Sequence, residues 1–153
     1  MKFKFLALLF TSLAAALSIH GADASPRVIK INAGTDNVMK FDVTSIAVAP
    51  GETVKVVLHN ACTLPKEAMG HNWVMVVPGT DPVAFAAAAA TEAANGYIPS
   101  KQKEKIVAHV GLLGPNETGE ATFTAPTEPG EYPFLCTFPA HCIVGMKGVV
   151  VVK

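Results

Sequence analysis

The chain has 153 residues, of which 16% are charged, and its 12 basic and 12 acidic side chains give a formal net charge of zero. This balance lacks the basic excess that binds nucleic acids, so we expect no nucleic-acid partner. The length suits a single domain.

The first 24 residues have the three parts of a secretory signal peptide. Residues 1–4 are basic, residues 5–17 are apolar, and Ala22-Asp23-Ala24 is a small-residue cleavage site. The apolar part is too short to cross a bilayer as a helix. We therefore predict a signal peptide over residues 1–24 and a soluble, periplasmic or secreted domain over residues 25–153. A retained N-terminal anchor helix is the alternative.

Beyond residue 25, short apolar or alternating runs are separated by Pro/Gly turns such as Pro50-Gly51 and Pro129-Gly130. This punctuation is typical of a β-sandwich or a β-barrel. The predicted strands are 28–31, 39–48 (with a bulge near 44–45), 53–60, 73–77, 105–110, 120–123, 132–136 and 147–152, the last two forming a hairpin.

An alanine-rich stretch from 82 to 94 departs from this pattern and predicts a short helix inserted against the strands. Pro82 fits the first helical turn, Asp81 is a suitable N-cap, and Gly96 is a suitable end. The alanines reflect helix propensity and carry no chemistry.

The segment from 136 to 146 contains Cys136, His141 and Met146, with four residues between each ligand type and the next. His71, in a Gly-His-Asn sequence, supplies a second imidazole. Two imidazoles, one thiolate and a weak axial thioether form the ligand set of blue-copper electron-transfer sites. Singly, a Met or a Cys is usually a core residue. Together, at this spacing, the four side chains favour a metal site.

Two cysteines remain if Cys136 binds metal. An exported protein meets an oxidising compartment, in which spare thiols tend to pair or to bind metal. We therefore predict a disulfide bond between Cys62 and Cys142.

These motifs resemble the cupredoxin family of type 1 blue copper proteins, and within it the azurin/auracyanin-like members. The similarity is carried by residues 60–73, which resemble a first ligand loop, by 106–114, which resemble a middle strand and turn, and by 129–139, which resemble the final hairpin. It extends over nearly all of residues 25–153. The resemblance implies an all-β, Greek-key β-sandwich with a short helical insertion.

The resemblance also implies one type 1 copper ion per chain, bound by the imidazoles of His71 and His141 and by the Cys136 thiolate. Met146 is then the weak axial ligand, and the backbone carbonyl of Gly70 approaches weakly from the opposite side.

In the same family, the equivalent of Asn72 ties the two ligand loops together, and the equivalent of the Phe138 amide donates to the cysteine sulfur. The spacing from His141 to Met146 has four intervening residues, closer to auracyanin than to azurin.

The expected function is electron transport by a monomeric one-electron carrier that is not an enzyme and has no membrane span. Its partners would be redox proteins that dock on an apolar face around His141. That face consists of Leu64, Met69, Phe138, Ala140, Ile143 and Val144.

Three other functions remain open. A copper-enzyme subunit would need further metal centres, yet the chain has no His-x-His pair. A copper storage or delivery protein would use similar ligands in a more exchangeable site. A Cys136–His141 hydrolase would leave His71 and Met146 without a role.

Overall fold

Two facing β-sheets form the fold of residues 25–153, the part of the chain that a computed structural model describes. The predicted signal peptide lies outside these residues. One sheet has three strands in the order β1 (Arg27–Ala33), β3 (Thr53–Asn60) and β6 (Thr118–Thr124). Strand β1 runs parallel to β3, and β6 runs antiparallel to it.

The second sheet has five strands, and it carries the C-terminal hairpin at its centre. In spatial order these are β2 (Ser45–Val48), β8 (Lys147–Val152), β7 (Gly130–Leu135), β4 (His71–Val76) and β5 (Ile106–Leu113). The predicted pairing of the last two strands along the chain is confirmed, because β7 and β8 are antiparallel neighbours. The all-β sandwich predicted from the sequence is therefore confirmed.

Residues 73–76 of strand β4 are all apolar, and the structure gives the reason. All six residues of β4 are buried, because both faces of the strand are covered. Trp73 and Met75 belong to the core between the two sheets. Val74 and Val76 belong to a second cluster on the outer face, together with Phe85 of the inserted helix.

The inserted helix, α2, is shorter than the sequence predicted. After the four-residue helix α1 (Lys66–Met69), α2 spans Pro82–Ala89, and the Asp81 carboxylate caps it by accepting from Val83 N at 2.8 Å. The chain then turns instead of continuing to 94, since the Glu92 carboxylate accepts hydrogen bonds from Asn95 and Ser100. Among residues 25–153, none of the helices combines the length and the apolar character needed to cross a membrane.

The predicted strand 39–48 is wrong in its first half. Only Ser45–Val48 forms a strand, because the preceding residues carry the chain from one sheet to the other. Phe41 makes a bridge to Ala33 of the first sheet, and Val149 of the second sheet donates to Thr44 O at 2.9 Å. The segment before Ser45 therefore passes between the sheets without the continuous series of backbone hydrogen bonds that defines a strand.

Candidate metal centre

Neighbouring strands bring the two ligand loops to the same end of the second sheet. His71 is the first residue of β4, and Cys136 directly follows β7. Because β4 and β7 run antiparallel, with Val74 opposite Leu135, the start of one strand lies beside the end of the other. The hairpin loop that follows Cys136 adds His141 and then Met146, just before β8.

Three of the predicted ligands converge at this end. One donor atom from each of His71, Cys136 and His141 lies within 4.8 Å of the other two. The Cys136 sulfur is 3.4 Å from His141 Nδ1, and the centroids of the two imidazole rings are 4.8 Å apart. His71 and Cys136 are fully buried, and His141 is 2% exposed.

The donor set fits a soft transition-metal ion. Buried polar atoms almost always have hydrogen-bond partners, yet neither nitrogen of the buried His71 ring has one within the described part of the chain. An ion bound between these side chains would give one of the two nitrogens a partner. Two imidazole nitrogens with one thiolate suit copper.

Burial sets the protonation of all three groups in the metal-free protein. Burial, with a smaller effect of the neighbouring His141, lowers the pKa of His71 to about 4, and burial alone lowers the pKa of His141 to about 4. Both imidazoles are therefore neutral near pH 7, the form that can bind a metal.

Burial acts in the opposite sense on the thiol. It raises the pKa of Cys136 to about 12, although backbone hydrogen bonds from Asn72 and Phe138 oppose the rise. A cation that binds here must displace the thiol proton, and the two backbone N–H groups then stabilise the thiolate. The contribution of Phe138 agrees with the role expected for its amide.

Asn72 ties the two ligand loops, as the resemblance implied. Its side chain donates to Thr137 Oγ1 at 2.6 Å and accepts from Thr137 N at 2.8 Å. Thr137 Oγ1 also donates to Tyr97 O at 2.6 Å, and Asn72 Nδ2 donates to Gly96 O at 3.1 Å. The sequence analysis missed Thr137 and this link to the segment after α2. The only feature of the sequence that indicated a role for Thr137 is its position directly after the predicted ligand Cys136.

Met146 and Gly70 both lie in buried positions next to the ligand loops. Met146 is fully buried and belongs to the same core cluster as Cys136 and Phe138. The Met146 N–H donates to His141 O, and the Met146 carbonyl accepts from Cys136 N, each at 3.0 Å. The backbone of Met146 therefore closes the loop that runs from Cys136 through His141. Gly70 precedes His71 directly, and a β-carbon there would lie 2.7 Å from Lys66 O.

The predicted apolar face is largely exposed, with two of its members set deeper. Ile143 and Val144 are 68% and 54% exposed, Leu64 is 39% exposed, and Ala140 is also exposed. Met69 is partly buried. Phe138 is only 7% exposed and lies beneath the surface. The centroid of its ring is 4.6 Å from that of His141 and 5.0 Å from that of Tyr97.

The predicted disulfide bond between Cys62 and Cys142 is wrong. Both residues are buried free thiols, and residues 25–153 contain no disulfide. Each sulfur has its own surroundings: Cys62 Sγ donates to Asn37 Oδ1 at 3.1 Å, whereas Cys142 packs in the cluster beneath α2 with Val74 and Leu135. Burial also raises the pKa of the Cys142 thiol, which keeps it protonated.

The described residues thus form a two-sheet β-sandwich with a single buried centre of two histidines and one cysteine between loops at one end. Residues 28–153 match the model of the copper binding proteins of the plastocyanin/azurin family, and the chain belongs to that family. It is a blue copper protein, and copper is the metal that its donor set fits. The cupredoxin resemblance is confirmed.

Its relatives agree in sequence and in structure. Azurin of Pseudomonas fluorescens biotype C is 35% identical over 128 residues, which cover 81% of this chain and 98% of that azurin. Auracyanin-B of Chloroflexus aurantiacus is 32% identical over 127 residues, covering 82% of this chain but only 52% of the relative. The solved structure of auracyanin A, a "blue" copper protein of the green thermophilic photosynthetic bacterium Chloroflexus aurantiacus, has a TM-score of 0.73 at 35% identity and covers 84% of this chain and 99% of that one.

Proposed function

We propose that this protein is a soluble one-electron carrier that moves electrons between larger redox proteins and turns over no substrate. The observation that supports this function best is the convergence of His71, Cys136 and His141 within 4.8 Å in a buried pocket. Copper, when bound there, supplies a reversible one-electron couple.

The proposed ligands are the imidazoles of His71 and His141 and the thiolate of Cys136. Met146 is the weak axial ligand, since it is buried in the same cluster as Cys136. The Gly70 carbonyl is a weaker contact from the other side, since Gly70 directly precedes a ligand at the buried start of β4.

A carrier works best when its ligands move little between the oxidised and reduced states. The mixed imidazole, thiolate and thioether set is a compromise between the preferences of Cu(I) and Cu(II). His71 begins β4, Cys136 directly follows β7 and Met146 directly precedes β8, while His141 lies in the loop between β7 and β8. The Asn72–Thr137 hydrogen bonds join the segments that carry His71 and Cys136. The rigid surroundings would therefore limit the rearrangement that accompanies each electron transfer.

The proposed docking face lies around His141, which is 2% exposed and so sits just below the surface. Its exposed members are Leu64, Ala140, Ile143 and Val144, and Met69 is partly buried. Phe138 is largely buried, and its ring packs against that of His141, with the ring centroids 4.6 Å apart. Redox encounters of this kind use small interfaces, commonly below about 1,200 Å², and we propose that the protein acts as a monomer.

Two rival functions make different predictions. A copper enzyme would need a second centre, and within residues 25–153 only one cluster of at least three His, Cys, Asp or Glu side chains is suitable for a metal. A delivery protein would need an accessible site, whereas these ligands are at most 2% exposed. Elemental analysis that finds two coppers per chain supports the enzyme, and rapid copper loss to a mild chelator supports delivery.

The test of the main proposal is a spectrum. Cu(II) added to the purified protein should produce an intense thiolate-to-copper absorption in the visible range, which ascorbate bleaches and an oxidant restores. Cys136→Ser should abolish this band. Cys142→Ser is the matched control, since it makes the same change in the same loop at a thiol that we do not assign to the metal. A colourless wild-type protein, or an equal loss in both variants, would refute the ligand assignment.

We also propose that residues 1–24 are removed on export and that the working protein is the single domain 25–153, in the periplasm or outside the cell. N-terminal sequencing of the protein from the native fraction should begin at Ser25. A start at Met1 would support the retained anchor helix instead.

A further inference from the structure

A loop between β1 and β2 lies against the back of the His71 ring and belongs to neither ligand loop. Its residues Gly34, Asp36 and Asn37 have φ values of 73°, 55° and 58°. This left-handed conformation is natural for glycine and disfavoured for other residues. Two consecutive non-glycine residues in it need contacts elsewhere to hold them, and such strain concentrates at functional sites.

Asn37 makes those contacts with the segment that leads into the first ligand loop. Its Oδ1 accepts hydrogen bonds from Cys62 Sγ at 3.1 Å, from Thr63 N at 3.0 Å and from Thr63 Oγ1 at 3.2 Å. The Cys62 sulfur in turn accepts from Leu64 N at 3.3 Å. Cys62 is thus a donor and an acceptor in one small network, which gives this buried thiol a role without a disulfide.

Gly34 is the part of the loop that reaches His71. A β-carbon built onto Gly34 would collide with His71 Nε2, and it would lie 2.8 Å from His71 Cδ2 and 2.9 Å from Cys62 Cβ. The Nε2 edge of the ring therefore packs directly on the Gly34 backbone. Neither ring nitrogen has a hydrogen-bond partner in residues 25–153, so packing contacts, including this one with Gly34, hold the imidazole in the metal-free protein.

We propose that Asn37 is a positioning residue for the metal centre. By binding Cys62 and Thr63 it holds the left-handed loop in place, keeps Gly34 against the ring, and so fixes the direction in which His71 presents Nδ1 to the copper. This inference rests on the proposed role of His71 as a ligand, and it adds a third segment to the two loops that carry the ligands.

The test compares variants that separate the hydrogen bonds from the backbone strain. Asn37→Ala removes both the acceptor and the side chain that best tolerates φ near 58°. Asn37→Gly removes the acceptor but relieves the strain, and Asn37→Asp keeps the acceptor. Asn116→Ala is the matched control, because Asn116 has the same φ of 58° and is likewise exposed, but its side chain is not bonded to Cys62 or Thr63.

We expect Asn37→Ala and Asn37→Gly to lose copper to a chelator about tenfold faster than Asn116→Ala, in the range typical of residues that orient metal ligands. Their copper hyperfine splitting in electron paramagnetic resonance should also change, and the Cys62 thiol should become more reactive in the metal-free protein. Asn37→Asp should keep the wild-type rate of copper loss, hyperfine splitting and Cys62 reactivity. Because Asn37→Gly removes the strain, it tests the inference even if Asn37→Ala fails to fold.

Copper retention and resonance spectra of Asn37→Gly equal to those of Asn116→Ala would overturn the inference while leaving the proposed function intact. A wild-type protein without a thiolate-to-copper band, or a His71→Ala variant that keeps the full band and copper affinity, would overturn the proposed function instead.

Discussion

Asn72 and Thr137, 65 positions apart in the sequence, join the two ligand loops by a reciprocal pair of hydrogen bonds at 2.6 Å and 2.8 Å. Both residues are fully buried, so bulk water does not compete with either bond in the intact protein. The pair makes the position of His71, next to Asn72, depend on the position of Cys136, next to Thr137. A mutation that displaces one loop should therefore also displace the other.

Asn72→Ala should destabilise the protein by about 1–3 kcal/mol, because it leaves the buried N–H and hydroxyl of Thr137 with fewer partners. Chemical denaturation of the metal-free protein measures this loss. Thr137→Ser is the control, since it retains the N–H and the hydroxyl and should cost only about 1 kcal/mol for the lost methyl group. Equal stability of the two variants would show that the bridge contributes little.

Gly148 in β8 has no space for a side chain. A β-carbon there would collide with Phe134 Cζ and with Thr44 O, and it would lie 2.8 Å from Phe134 Cε1. Phe134 is a fully buried core residue and Thr44 O is backbone, so neither moves easily. Gly148→Ala should cost about 1–3 kcal/mol, the usual penalty for overpacking a core.

Gly111 in β5 is the matched control for this substitution. It is also a strand glycine, but a β-carbon built there meets nothing within 4 Å. Gly111→Ala should be neutral or stabilise by up to about 1 kcal/mol, because it restricts the unfolded chain. Thermal unfolding of the two variants should give opposite or clearly unequal shifts, and equal shifts would contradict the steric argument.

Local sequence patterns were sufficient where each element carries its own signal. Strand β3 shows this best: alternating apolar residues between a Pro-Gly turn and a polar end predicted 53–60, and the structure has Thr53–Asn60. The ligand motif is also local on the C-terminal side, from Cys136 to Met146. Only His71 had to be brought in from a distance, and the antiparallel pairing of β4 with β7 does so.

Apart from the early end of α2, which local hydrogen bonds of Glu92 explain, the failures concern relations between distant residues. The count of cysteines paired Cys62 with Cys142, yet Cys62 bonds to Asn37, which is 25 residues away, and Cys142 packs under α2. The stretch before Ser45 has strand-like residues, but its position between two sheets leaves it without a ladder partner. Such features depend on which segments meet in space, and residue patterns along the chain do not specify that.

The Arg27–Glu52 ion pair should make part of the stability depend on pH. Hydrogen bonds from the Arg27 side chain and from Ala49 N hold the pKa of Glu52 below its ordinary value of 4.5. Because the folded-state pKa is lower than the unfolded one, the stabilisation is complete above about pH 4.5 and is lost as the pH falls through the folded-state pKa. The pair is partly exposed, so its contribution should be about 0.2–1 kcal/mol.

A double-mutant cycle tests this dependence with Arg27→Gln, Glu52→Gln and the combined variant. Urea denaturation should show a coupling free energy between positions 27 and 52 at pH 7 that declines as the pH is lowered below 4.5 and disappears once Glu52 is protonated in the folded protein. A coupling that is unchanged at acid pH would contradict the assignment of the effect to the Glu52 carboxylate.

The proposed docking face can be tested without knowing the physiological partner, because the protein can exchange electrons with a second copy of itself. Ile143 is the most exposed large apolar residue of that face, at 68%. Ile143→Glu would bring two carboxylates together when two such faces meet, and like charges in contact disfavour the encounter strongly. Self-exchange, measured by nuclear magnetic resonance line broadening in mixtures of the oxidised and reduced protein, should slow about tenfold or more at low salt and recover in part at high salt.

Val28→Glu is the matched control for that substitution. Val28 is 52% exposed, but it lies near the start of β1, outside the proposed face. This variant should exchange electrons at the wild-type rate, and both variants should keep the visible absorption band, because neither residue is proposed to touch the copper. If Ile143→Glu and Val28→Glu slow the exchange equally, the encounter does not use the surface around His141, and the proposed docking face is wrong even though the copper site stands.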